Sequence, residues 1–245
     1  MKKQKERYII PMKERIKDVS KIVAGIAGVF LLMLLASNFV IDGQFIVRGA
    51  VLNIQGAPTG THILLDSKLA GEVNSNGSLI VKRIKPGQHT LIATKNAHWP
   101  WVKGLETQAG ESINLIPLFI PQEIIGKIVE DAPATLNFAN TRIQGLASNI
   151  WASGAAIYIQ DDAATQPVAV FTADYPVRAL ALYPSRTDTL LVAAGDLIFA
   201  LDIAQTEQRN FLPVYKSAQP TFAIDKESGT IFVKDGEQIL QLILQ

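Results

Sequence analysis

Residues 190–202, LLVAAGDLIFALD, decide how the second half of this chain is read. Two short apolar runs, Leu190-Leu191-Val192-Ala193 and Leu197-Ile198-Phe199-Ala200-Leu201, stand on either side of a glycine. Runs this short, bounded by turn residues, read as buried strands, because a helix needs at least about 10 residues. Gly154 and Gly236 lie 41 residues before and after Gly195, and each is flanked in the same way. Asn149-Ile150-Trp151-Ala152 and Ala156-Ile157-Tyr158-Ile159 enclose the first, and Ile231-Phe232-Val233-Lys234 and Gln238-Ile239-Leu240-Gln241-Leu242 the third. Leu180-Ala181-Leu182 matches Phe222-Ala223-Ile224 upstream of the second and third units. Val168-Ala169-Val170-Phe171 and Phe211-Leu212-Pro213-Val214-Tyr215 read as fourth strands of the first two.

A period near 40 with several strands per unit predicts propeller blades. The run from Gly195 through Asp196 to Asp202 resembles the third strand of the broad β-propeller class. Residues 136–245 hold only three such units, whereas closed propellers have about four to eight blades. The third unit stops after its third strand at Gln245, which would leave an open edge. The expectation is therefore an incomplete propeller-like array, from a fragment or a truncated relative of a longer protein.

Upstream, residues 44–120 alternate short strands with Gly, Pro and Asn turns, the pattern of a small β-sandwich of five to seven strands. Val51–Ile54, Thr61–Leu65, Leu79–Val81 with Lys82, Thr90–Thr94 and Ser112–Ile116 read as strands, and Asn76-Gly77 as a type I′ hairpin turn. Two segments, Ile54-Gln55-Gly56-Ala57-Pro58-Thr59-Gly60-Thr61-His62-Ile63-Leu64-Leu65-Asp66-Ser67-Lys68-Leu69-Ala70-Gly71 and Ile84-Lys85-Pro86-Gly87-Gln88-His89-Thr90-Leu91-Ile92-Ala93-Thr94-Lys95, carry a Pro-x-Gly turn, an Asp-led hairpin and a Pro-Gly-x-His-x-Leu strand entry. Together with Ala109-Gly110-Glu111-Ser112-Ile113-Asn114-Leu115 they resemble a PEGA domain, a small β-sandwich of prokaryotic surface and membrane proteins. Thr59 and Thr61 stand where the name-giving tetrad of that family has Glu and Ala. The resemblance implies an extracytoplasmic binding or spacer module without an activity of its own. Residues 121–135, broken by Pro121, Gly126 and Pro133, read as a linker between the two β regions.

At the other end, Ile22–Ile41, IVAGIAGVFLLMLLASNFVI, carries no charge over 20 residues. At 1.5 Å per residue it is long enough to cross a hydrocarbon core of about 30 Å as a helix. Residues 1–21 hold eight Lys or Arg against three Asp or Glu, a net +5, and the remainder of the chain carries −4. That split predicts a cytoplasmic basic head, a span at 22–41 and an extracytoplasmic body. No small-x-small cleavage site appears around Leu35–Asn38, so the span reads as a retained anchor.

Chemistry is sparse. Cysteine is absent, which excludes disulfides and Cys-based zinc sites. His62, His89 and His98 lack metal-ligand spacing, and no nucleophile elbow, P-loop or dinucleotide turn is present. Asp161-Asp162 and Asp235-Gly236-Glu237 read as turns rather than calcium loops. Arg178, Arg209 and Lys216 are scattered and form no stripe for nucleic acid. The one cluster suited to a ligand is His98-Trp99-Pro100-Trp101, where two indoles about a proline make a platform for a sugar or peptide. The reading is a non-catalytic, cofactor-free and metal-free binding or scaffolding protein, held to the bilayer through Ile22–Ile41 and facing a protein or polysaccharide partner of a prokaryotic envelope. The alternatives are a transmembrane sensor reporting to the basic head and, third, an envelope enzyme. Oligomeric state is not encoded in any motif.

Overall fold

The computed structural model describes residues 21–29, 32–33, 37–143, 148–161, 166–203 and 211–243. The basic head, apart from Lys21, and residues 30–31 and 34–36 of the expected span lie outside them. The fold is mainly β, and its contacts divide it into two compact units. One takes the chain up to Leu52 with Lys82–Gly87 and Thr107–Ile113; the other takes the remainder.

In the first unit, residues 21–29 and 32–33 are helical, with apolar side chains exposed at every described turn, Ile22, Val23, Ile26, Val29, Leu32 and Met33 among them. Among the described residues no helix is long and apolar enough to cross a membrane. The expected helical span through Ile41 needs correcting at its far end. Phe39–Asp42 is a strand, β1, paired antiparallel with β2, Phe45–Arg48. β-Branched Val40, Ile41, Ile46 and Val47 favour the pleated backbone, and Gly43 at φ 58° makes the turn. Asn38 ends the helical register. Its backbone carbonyl accepts Gly49 N–H at 2.6 Å, its Nδ2 donates to Gly49 O at 2.5 Å, and its Oδ1 accepts Arg83 N–H at 2.7 Å. Gly49 is required there, because a Cβ would lie 2.8 Å from Arg83 Cα.

Seven further strands build two sheets over the stretch read as a sandwich. β3 (Ala50–Gln55), β6 (Ser78–Ile84) and β9 (Ser112–Leu115) form one, in the order β6-β3-β9. β4 (His62–Leu65), β5 (Lys68–Glu72), β7 (Gly87–Thr94) and β8 (Trp101–Thr107) form the other, in the order β5-β4-β7-β8. Period-2 burial is clear in β3, where Ala50, Leu52 and Ile54 are buried, and in β8, where Trp101, Lys103, Leu105 and Thr107 are. The β4–β5 hairpin turns on Asp66 and Ser67, at φ 50° and 65°, the geometry of a type I′ turn. The Asn76-Gly77 turn departs from expectation. Only Gly77 has a positive φ, and Asn74 Oδ1 accepts the N–H groups of Asn76 and Ser78. That side chain caps a loop between two different sheets, so no hairpin is formed there.

The three repeat units are three four-stranded antiparallel sheets. β11 (Arg142–Ile143), β12 (Ser148–Ser153), β13 (Ala156–Asp161) and β14 (Val168–Thr172) form the first, as a meander. β15 (Val177–Leu182), β16 (Thr189–Ala194), β17 (Leu197–Asp202) and β18 (Phe211–Lys216) form the second. The third combines β19 (Thr221–Ile224), β20 (Ile231–Asp235) and β21 (Gln238–Ile243) with β10 (Ile125–Ile128), in the order β10-β21-β20-β19. Gly154, Gly195 and Gly236 lie in two-residue hairpin turns at φ 60°, 57° and 61°.

Two expectations change here. The stretch read as a linker contains a strand, and the third unit is not left one strand short. β10 lies along β21 with Ile125 opposite Ile243 and Ile128 opposite Leu240. The reason is the backbone of β21, whose outer N–H and C=O groups need partners.

Core packing runs through the middle sheet. All six residues of β16 are buried, which requires cover on both faces. On one face Leu180, Leu190, Val192, Phe199 and Leu201 meet Ile150 and Ile157 of the first sheet. Phe199 stands between Phe171 and Phe211, with ring centroids 5.6 and 4.4 Å away. On the other face Leu191, Ala193, Ile198 and Ala200 are buried as well. The edge strand β15 of the middle sheet neighbours the edge strands β11 and β19 of the other two.

The three hairpin glycines make a graded prediction. Alanine at Gly154 or Gly236 meets open space and should cost only the left-handed backbone term, about 1–2 kcal/mol. At Gly195 the new Cβ would sit 2.6 Å from Tyr175 Cδ2, so the ring must move as well. Urea unfolding should rank Gly195→Ala below the other two variants.

Candidate functional site

The aromatic cluster singled out in the sequence is divided by the fold. Trp101 enters β8 on its inward face and is 2% exposed. Its indole lies under the Lys103 ammonium, 5.8 Å from the ring centroid. Trp99 is half-buried, and its N–H donates to Ile120 O at 2.9 Å. His98 is bridged to Pro121, stands edge-on to Phe119 at 6.1 Å, and hydrogen-bonds Asn96 O through Nδ1 at 2.8 Å. These residues clasp the segment that leaves the sheet after β9. A two-indole platform is not formed, because the strand that begins at Trp101 turns that indole inward while Trp99 stays on the loop before it.

Beside Trp101, Lys103 Nζ reaches Asp202 Oδ2 at 2.8 Å, with side chains only 10% and 6% exposed. The pair joins β8 to the end of β17, 99 residues away. Leaving either charge without the other would strand an ion in a dry site, so the contact is directional and specific. Sequence reading missed it because Lys103 lies in no motif and nothing in the local pattern around Asp202 points to a residue 99 positions away.

The cavity of the repeat region is elsewhere. About 920 Å³ is bounded by the segment 135–143, by Leu180–Leu182 of β15 and by the stretch from Phe222 in β19 to Glu227. Leu180, Leu182 and Phe222 are among its apolar lining residues. Its polar lining includes Thr135, Asn137, Asn140, Arg142, Asp225, Lys226 and Glu227. Asn140 is fastened to β15 by two bonds, Leu180 N–H to its carbonyl at 2.6 Å and its own Nδ2 to Leu180 O at 3.1 Å. Thr221 Oγ1 donates to Phe138 O at 2.5 Å and holds the same segment to β19. The guanidinium of Arg142 lies 5.9 Å over Trp151, which stacks on Tyr158 at 5.7 Å. Asp225 accepts from Ser228 Oγ at 2.5 Å and from the N–H groups of Glu227 and Ser228, and these bonds hold its carboxyl below the usual range.

Two further polar braces stiffen this region. Arg178 donates through one terminal nitrogen to Gly195 O at 2.6 Å and to Pro220 O at 2.7 Å. Asp235 accepts from Tyr215 OH and Ser217 Oγ, each at 2.8 Å, which ties β18 to β20. Burial, reinforced by that carboxylate, pushes the Tyr215 phenol up to about 12. Asp235 is thus a bracing acceptor at a hairpin, while Asp162 and Arg209 lie outside the described residues. Among the described residues no cluster of three or more His, Asp or Glu is placed to hold a metal ion. The lining combines hydrogen-bonding groups, two cations and two carboxylates with apolar side chains, an equipment suited to binding a polar ligand or peptide.

In the N-terminal sheets, His89 Nδ1 and Asp66 Oδ2 are 2.6 Å apart, and Asp66 Oδ1 accepts Thr90 N–H at 2.9 Å. The two sequence segments that carry the PEGA resemblance therefore meet at one carboxylate. No protein-family model matches the chain, and no curated protein matches it.

Two measurements follow. Lys103→Met leaves Asp202 without its buried ammonium and should lose about 3–5 kcal/mol, whereas Lys103→Met with Asp202→Leu should recover most of that in a double-mutant cycle. For Asp66, burial raises the pKa, but the His89 and Thr90 hydrogen bonds outweigh it and leave the carboxyl below its ordinary 3.8. A depressed carboxyl stabilises the fold above its unfolded pKa, and that contribution fades as pH falls through the folded value. Acid titration of Asp66→Asn should therefore show a flatter loss of stability below about pH 4 than the parent.

Proposed function

We propose that this chain is a single-pass, membrane-anchored, non-catalytic binding or scaffolding protein of the prokaryotic cell envelope. The observation that carries this reading is the uncharged stretch Ile22–Ile41 with +5 before it and −4 after it. The exposed apolar side chains of Ile22, Val23, Ile26, Val29, Leu32 and Met33 support it, since a bilayer is the surrounding that such a surface suits. With the strand at Phe39, the helical part of the span ends before that residue.

In this proposal the body outside the membrane is a PEGA-like sandwich followed by a propeller-like array of three blades. The meeting of Asp66, His89 and Thr90 supports the first part. The second is supported by three equivalent four-stranded sheets whose last is completed by a strand from before the first, so that no blade is left short. The ligand site is the cavity around Asn140, Arg142 and Asp225, with the Trp99 and Trp101 region acting as packing. Anchoring raises the effective concentration of that cavity for envelope partners.

A second reading, a transmembrane sensor, is favoured by one observation. Asn38, close after the apolar helical residues, is held by hydrogen bonds to Gly49 and Arg83, which gives a displacement at Arg83 a route toward the apolar stretch.

The test is fractionation of the full chain in a bacterial host. It should sediment with membranes, resist alkaline extraction, and lose its body to protease added outside the inner membrane while its N-terminus stays protected. Recovery in the soluble fraction overturns the proposal. Replacing residues 2–20 with an unrelated basic sequence separates the readings: a phenotype left intact removes the sensor.

A further inference from the structure

The β1–β2 hairpin carries more exposed apolar surface than a hairpin in water can justify. Its register places Phe39 opposite Arg48 and Ile41 opposite Ile46, so these four side chains share one face. Phe39, Ile41 and Ile46 on that face are 41%, 67% and 51% exposed. Phe45, beside the turn, is exposed at 74%. The opposite face carries Val40 and Val47, both half-buried, and at its turn end Asp42 and Phe45, both exposed. An isolated two-stranded ribbon is marginal in water, and an apolar uncovered face makes it more so.

Its position says what covers it. Phe39 follows Asn38 directly, and Asn38 is fixed by three hydrogen bonds to Gly49 and Arg83. The start of the hairpin is thereby fixed at Asn38, within the apolar stretch Ile22–Ile41. Each strand has four residues, about 13 Å at 3.3 Å per residue, so the whole ribbon stays within that distance of the point where the segment ends. Charges are placed at its margins. Asp42 lies at the turn and Arg48 at the base, and no charge falls among the apolar residues between them. A ribbon lying flat with Phe39, Ile41 and Ile46 downward keeps Asp42 at headgroup level and gives Arg48 a lipid phosphate to meet.

We propose that the face formed by Phe39, Ile41 and Ile46 lies in the membrane interface as a second lipid contact beside the apolar helical segment. This rests on the anchored reading of the chain. It adds a lateral contact that resists rotation about the span, which a single helix does not supply.

The absence of cysteine makes the test direct. Ile46→Cys and, as reference, Leu69→Cys in β5 (66% exposed) are labelled with an environment-sensitive fluorophore in the full chain. Each is reconstituted in vesicles of phosphatidylcholine and phosphatidylglycerol carrying shallow nitroxide lipids. The label on the Ile46→Cys variant should be quenched at least about twofold more than the label on Leu69→Cys, with blue-shifted emission. Equal quenching in chains that float with the vesicles overturns the hairpin contact while leaving the anchor intact. Failure to float overturns the anchored reading and this one with it. Burial of the Ile46→Cys label in detergent that deepens with protein concentration would assign the face to a second copy of the chain and overturn the lipid contact.

Discussion

The pairing of β10 with β21 is the constraint on which the repeat region depends. An edge strand with free N–H and C=O groups is a site for pairing with any other chain. Here the partner comes from residues that precede the first sheet, so the third sheet is completed only when the chain has passed through the other two. Ile125 and Ile243, opposite one another in the ladder, stand at the two ends of the whole repeat region. The entropy of closing so long a loop grows only logarithmically with its length, so closure adds little beyond what a shorter loop would cost. The first and third sheets are thereby tied to the same stretch of backbone, since the residues after β10 run on to Phe138 and Asn140 at the edges of β19 and β15.

That stretch also makes the cavity. Segment 135–143 is held in its middle, at Phe138 by Thr221 and at Asn140 by Leu180. Once held, it presents Asn137, Asn140 and Arg142 toward Asp225, Lys226 and Glu227. A binding site built this way draws on residues with no shared motif. Asn140 is brought there because the edge of β15 takes it as a hydrogen-bond partner.

Polar side chains bridge elements that are far apart in the chain. Lys103 and Asp202 form one such bridge, Arg178 to Gly195 and Pro220 another, and Asn38 to Gly49 and Arg83 a third. Apolar packing is non-directional and would tolerate small slides between sheets. Buried or half-buried hydrogen bonds penalise such slides, because a displaced donor loses its partner without regaining water.

Most strands were legible, because apolar runs flanked by Gly, Asn or Pro leave few alternatives, and the spacing of Gly154, Gly195 and Gly236 gave the repeat directly. β8 was hidden by Gly104 and Lys103 in its middle, and β10 by Gly126 between two isoleucines. Neither has the continuous pattern that a single-sequence reading needs. The type I′ reading at Asn76-Gly77 failed because Asn74 capped the loop first. The burial of Trp101 was not legible for a related reason: Trp99 and Trp101 stand out by residue type, but inward or outward direction in a strand depends on which neighbour covers it. The sequence by itself determined the β class, the repeat and the charge asymmetry about Ile22–Ile41, since these rest on local periodicity and composition. Only the tertiary structure decided that β10 completes the last sheet, that Trp101 and Lys103 face inward, and that the apolar stretch turns into a hairpin at Phe39. Those outcomes depend on hydrogen-bond partners and cover supplied by residues far away in the chain.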